Sequence, residues 1–183
     1  MRDGPEGRVP QPGVERLVPF AGHPVVVGVV PGQDPLVVLT AAAWARAAGG
    51  PLHLAYADPS RYVVDERADG TVTHAAVDPD TLDESWRETE AALREAADRL
   101  LRDEPPAWDL RYLAGRPDRA LTHLARAVDA AVIVVGARSG RTGSRLRELV
   151  EGSVAAHLAH HQHRPVLTVP LRVVDWAESP WGR

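Results

Sequence analysis

The sequence predicts an α/β fold: an open five-stranded parallel sheet with helices on both faces. Three observations predict it. Five short apolar segments recur along the chain, and the first and fourth are continuous β-branched runs of the kind covered on both faces in parallel sheets. Segments with helical apolar spacing separate them, and such βα alternation requires right-handed crossovers. Finally, 183 residues with 44% hydrophobic content suit one ordinary domain with a real core.

Residues 1–22 carry four prolines and four glycines without apolar periodicity, which predicts a flexible N-terminal arm. The domain proper is expected over residues 23–172, with 173–183 as a C-terminal tail carrying Trp176 and Trp181. Val25 to Val30 is the first predicted strand, stopped by the turn signal Pro31-Gly32. A helix is predicted over Leu36 to Ala48, with Leu36, Leu39, Ala43 and Ala47 as its inner face and Gly49-Gly50 ending it. The second strand is Leu52 to Ala57.

Residues 59–80 are polar and are read as an irregular connection, long enough to suggest a function. Thr81-Leu82-Asp83-Glu84 has the form of a capping box, and Trp86, Leu93, Ala97, Leu100 and Leu101 form the stripe of the helix it opens. That helix ends before Pro105-Pro106. A third strand follows over Ala107 to Leu113. Pro117 is placed for the first turn of the next helix, whose inner face is Leu121, Leu124, Ala125 and Val128. Ala131 to Val135 is the fourth strand, a helix spans about Leu149 to His161, and Pro165 to Leu171 is the fifth strand. Trp44 and Trp86 are expected to pack helices onto the sheet.

Composition closes several routes. The chain has no cysteine, which excludes disulfides, thiolate metal sites and cysteine nucleophiles. All 21 basic residues are arginine, so a Walker A lysine, a Schiff base and a kinase-type lysine are excluded. A net charge of -4 argues against a general nucleic-acid or membrane-surface binder. No apolar stretch approaches the roughly 20 residues that cross a bilayer, and the expected location is cytoplasmic. No nucleophile elbow occurs, and no positioned base and nucleophile can be named. The expectation is a protein that is not an enzyme, beyond slow incidental nucleotide hydrolysis.

In an open parallel sheet, ligands sit beyond the carboxyl ends of the strands where the strand order reverses. The loops after the first and fourth strands are therefore the candidates. The fourth-strand loop runs GARSGRTGSRLRELVEGS from Gly136 to Ser153. Its glycine amides can approach phosphate oxygens, and Gly152-Ser153 at a helix start adds a favourable dipole. Arg138, Arg141, Arg145 and Arg147 lie in the same loop, where an anionic ligand would offset their opposition to the helix dipole. A solvated arginine-rich loop is the alternative.

The strand, the glycine turn, the spacer ending in Gly152-Ser153-Val154 and the closing Arg164-Pro165-Val166 together resemble the universal stress protein family, whose signature is G-x2-G-x9-G-[ST]. The likeness runs from Pro24 to Leu171. It implies the sheet order 3-2-1-4-5 of the adenine nucleotide alpha hydrolase-like fold, a homodimer through Pro165 to Leu171, and ATP or AMP as ligand, with magnesium only alongside nucleotide. The site residues it implies are Val30, Pro31, Asp34, Tyr56, Gly136, Arg138, Gly140, Gly143, Gly152, Ser153 and Val154. The sequence departs from the pattern twice. Three residues lie between Gly136 and Gly140, and eight lie between Gly143 and Gly152. The first strand ends Val29-Val30-Pro31-Gly32, where nucleotide-binding members carry an aspartate; Asp34 is the nearest carboxylate.

Two functional readings stay open: an adenine-nucleotide-binding domain in stress response or signalling, and a dimeric interaction module of the same fold without nucleotide. His157, His160, His161 and His163 form a cluster whose i, i+4 pair could hold a metal. Histidines capping carbonyls at a helix end account for it better, and no metal site is expected.

Overall fold

The computed structural model describes residues 13–14, 17–78, 85–102, 106–137 and 154–171. Its elements are β1 (Val25–Gly28), α1 (Pro35–Ala48), β2 (Leu52–Asp58), β3 (Arg61–Glu66), β4 (Val72–Ala76), α2 (Ser85–Leu101), β5 (Trp108–Ala114), α3 (Pro117–Ala127), β6 (Val132–Ala137), α4 (Val154–His161) and β7 (Val166–Pro170). The main sheet has the order β5-β2-β1-β6-β7, and every neighbouring pair in it is parallel. Counted among its own strands this is 3-2-1-4-5, as expected. The Val25 to Val27 run of β1 is fully buried because it is central and covered on both faces.

Two apolar layers sandwich the sheet. On one face, Val25, Val27, Leu52, Leu54 and Val134 pack with Val37, Ala41, Ala45, Leu93 and Ala97 of α1 and α2. On the other, Val26, Ala55, Ile133 and Val135 pack with Leu121, Leu124, Ala125 and Leu158 of α3 and α4. Alternate residues of each strand serve opposite layers, as the pleat dictates. The two faces are filled by helices whose crossovers run in opposite directions from β1 and β6, which makes that pair the switch point.

Three expectations require correction. Residues 59–80 are not an irregular connection: they contain the antiparallel hairpin β3–β4, which packs beside the edge strand β5. Its turn closes through Arg67 N–H to Thr71 O at 2.9 Å, with Gly70 at φ 77° and Asp69 accepting from Thr71 N–H. Second, α1 buries Val37, Val38, Ala41, Ala42, Ala45 and Ala48, while Leu36 and Leu39 are 47% and 44% exposed. The helix is apolar nearly all round, so spacing alone picks no unique inner face. Third, Trp44 lies on that outer side, edge-on to Phe20 at 5.3 Å, whereas Trp86 packs inward on His74 and Tyr112.

The capping box at 81–84 and the first part of the predicted last helix, residues 149–153, lie outside the described residues. So do most of the expected N-terminal arm and all of the tail at 173–183.

Candidate functional site

The candidate site is the crevice beyond the carboxyl ends of β1 and β6. On the β1 side the chain leaves Gly28, and Val29 N–H still donates to Ala55 O at 2.9 Å, extending the ladder one residue. Val30 and Pro31 then emerge at the surface. Gln33 ties the turn together: its N–H donates to Val30 O at 3.2 Å and its Oε1 accepts from Val30 N–H at 2.9 Å. Asp34 follows as the N-cap of α1, accepting from Leu36 N–H at 2.9 Å, with Pro35 in the first turn.

That cap fixes the role of the nearest carboxylate. Asp34 satisfies one of the otherwise orphaned amides of α1, so using it for a ligand would uncap the helix. Gln33 reaches the crevice instead. A methyl group placed on Gly136 would lie 3.3 Å from Gln33 Nε2, 3.1 Å from Val37 Cγ2 and 3.2 Å from Leu171 Cδ1. The glycine at the end of β6 therefore lets the carboxamide of Gln33 and the start of α1 close over the strand end. The carboxamide nitrogen donates to no other described residue. Sequence reasoning missed Gln33, although its place between a Pro-Gly turn and an aspartate cap beside the expected crevice was visible.

Tyr56 stands one strand over. Its ring is edge-on to Tyr112 at 5.1 Å and packs against the core layer shared by α1 and α2. Burial, reinforced by the Asp58 carboxylate, pushes its hydroxyl above the usual phenol range. Tyr112 is shifted the same way, by burial and by donating to Asp58 Oδ2 at 2.7 Å. Burial opposes ionisation of Asp58, yet hydrogen bonds from Ser60 and Tyr112 outweigh it and hold the carboxyl below its ordinary value. Packing thus accounts for the ring of Tyr56.

Val154 opens α4 half-buried against the α3–α4 layer. Arg138, Gly140, Gly143, Gly152 and Ser153 lie outside the described residues. At the far end of α4, His161 Nδ1 donates to His157 O at 3.0 Å, and the two rings stack at 5.7 Å. Among the described residues no three His, Asp or Glu side chains are grouped to hold a metal.

A five-stranded doubly wound sheet of this order, with a glycine closing the fourth parallel strand at the switch point, defines the class of α/β domains that hold ligands at that crevice. The sequence of residues 23–170 matches the universal stress protein family, and the chain belongs to that family. The chain is similar to the universal stress protein from Archaeoglobus fulgidus, at 25% identity and TM-score 0.57, over 81% of this chain and 94% of that one. A structure of the same description from A. fulgidus in complex with dAMP matches at 25% identity and TM-score 0.56, over 80% and 97% of the two chains. A universal stress protein in complex with cAMP matches at 28% identity and TM-score 0.57, over 82% and 98%. No curated protein sequence matches the chain significantly. No described helix is long and apolar enough to cross a membrane.

Proposed function

We propose that this domain binds an adenine nucleotide, with AMP the form best suited, in the crevice between β1 and β6. The observation that carries the proposal is the carboxamide of Gln33, held by Val30 N–H and brought over Gly136. A carboxamide both donates and accepts, so Gln33 replaces the aspartate missing from the end of β1 as the partner of the nucleoside. That contact is common to mono- and triphosphates, and the choice of AMP rests on the similar proteins. The complexes of similar proteins with dAMP and cAMP support this choice. The glycines and arginines of residues 138–153, Gly152 and Ser153 among them, are the sequence candidates for holding the phosphate.

The role is binding rather than catalysis, with slow nucleotide hydrolysis at most. Titration calorimetry with AMP, ADP and ATP tests the proposal. AMP should bind, whereas absence of heat for all three on folded protein would refute it. A homodimer through β7 accompanies the binding role. This strand is the sheet edge among the described residues, and a sheet edge favours pairing with a second copy. Pro170, without an N–H, limits that ladder to Val166–Val169. Sedimentation of a monomer at micromolar concentration would sink the dimer.

A further inference from the structure

A second cleft lies away from the crevice, between β3 of the hairpin and α3. Its volume is about 330 Å³, at the small end of ligand pockets, and no residue of β1 or β6 lines it. The floor is apolar, built by Val72, Leu113, Ala120 and Leu124. Tyr62 and Val63, which are 52% and 43% exposed, form its outer wall, so apolar surface inside and beside the cleft faces water.

The charges around it are almost all matched. Arg61 is buried, donates to His74 at 2.6 Å and lies near Asp58. Arg116 pairs with Asp118 at 2.9 Å, and Glu66 faces His123 at 3.4 Å. Arg119 also lines the cleft, is exposed and has no ionic partner among the described residues. One guanidinium without an ionic partner among the described residues, at the mouth of an apolar cleft, complements one anionic head on an apolar body.

We infer that this cleft binds a small amphipathic monocarboxylate, its chain on Val72, Leu113 and Leu124 and its carboxylate on Arg119. Guanidinium matches carboxylate in a planar, two-point geometry. A single negative charge matches the one lining guanidinium that lacks an ionic partner among the described residues. Each buried methylene should tighten binding about fourfold, so chain length is a direct readout of the apolar floor.

Calorimetry with octanoate, butanoate and the neutral octanamide tests the inference on the full chain. Octanoate should bind at least tenfold more tightly than either. Arg119→Gln should weaken octanoate about ten- to a hundredfold, the range for losing a hydrogen bond to a charged group. Val63→Glu, an exposed change that adds a second negative charge at the mouth, should weaken it too. Circular dichroism of both variants should match the parent. Octanoate affinity should not change with AMP present, which separates this cleft from the nucleotide crevice whether or not the latter binds. No heat with millimolar octanoate, equal affinity for octanamide, unchanged affinity in Arg119→Gln, or competition by AMP would each overturn the inference.

Discussion

Replacing Tyr112 by phenylalanine removes one oxygen atom and isolates a single interaction. The ring remains, so its contacts with Tyr56, His74 and Trp86 persist. What is lost is the hydrogen bond to Asp58 at 2.7 Å. Hydrogen bonds to charged groups contribute about 1.5–3 kcal/mol. Asp58 keeps its two bonds from Ser60, at 2.9 Å from the amide and 2.6 Å from the hydroxyl, so the lower half of that range applies, about 1.5–2 kcal/mol. In a chain of this size that lowers Tm by roughly 3–8 °C.

The pH dependence fixes the cause. Asp58 has a depressed pKa in the fold, so its contribution is fully present above its unfolded pKa of about 3.9 and is lost as pH falls through the folded value. Urea unfolding of parent and Tyr112→Phe should differ by the full amount at pH 7 and converge toward pH 3. At high pH the elevated Tyr112 pKa acts in the opposite direction: its contribution is present below about pH 10 and is lost as pH rises above it. Equal destabilisation at pH 7 and pH 3, or a difference under about 0.5 kcal/mol at pH 7, would refute the account of this network.

Three further outcomes follow from the geometry. Asp34→Ala should cost about 1 kcal/mol of stability through the lost cap while leaving AMP affinity within a factor of two; loss of AMP binding at unchanged stability would return Asp34 to the site. Gly136→Ala should destabilise by about 1–3 kcal/mol through overpacking on Val37 and Leu171 and should weaken AMP by displacing Gln33, both read from urea melts and calorimetry. Asp109→Ala should cost about 1–2 kcal/mol at pH 7, because the nearly buried His53 loses its partner at 2.6 Å, while Arg111 loses one contact at 2.9 Å but keeps Asp69 and Thr71. The depressed pKa of Asp109 means that this cost should shrink as pH falls below the carboxylate range.

How much of this was legible in the sequence depended on how many faces a segment buries. The central strands are buried on both sides, so Val25 to Val30 and Ala131 to Val135 announce themselves as continuous apolar runs, and their order followed from the family likeness. The β3–β4 hairpin has only Arg61 buried along its first strand, and that residue is charged, so no apolar alternation marks it. Asp69-Gly70 between the β-branched stretches was the available signal, as the strongest short hairpin turns have that form. Helix α1 was found but turned the wrong way, because alanine and leucine on its outer side mimic a core stripe. At the crevice, glycine at 136 was legible from its place closing the fourth strand. Gln33 was not, since its role arises from a turn that folds its carboxamide back on Val30, and no periodicity encodes that.

The central claim is that Gln33, not an aspartate, meets the nucleoside at the β1–β6 crevice. The most direct test is AMP calorimetry on the parent and Gln33→Ala. The expected result is AMP binding by the parent and about three- to tenfold weaker binding by Gln33→Ala, as a neutral hydrogen bond is lost. Parent-like AMP affinity in Gln33→Ala, on protein shown to be folded, would contradict it.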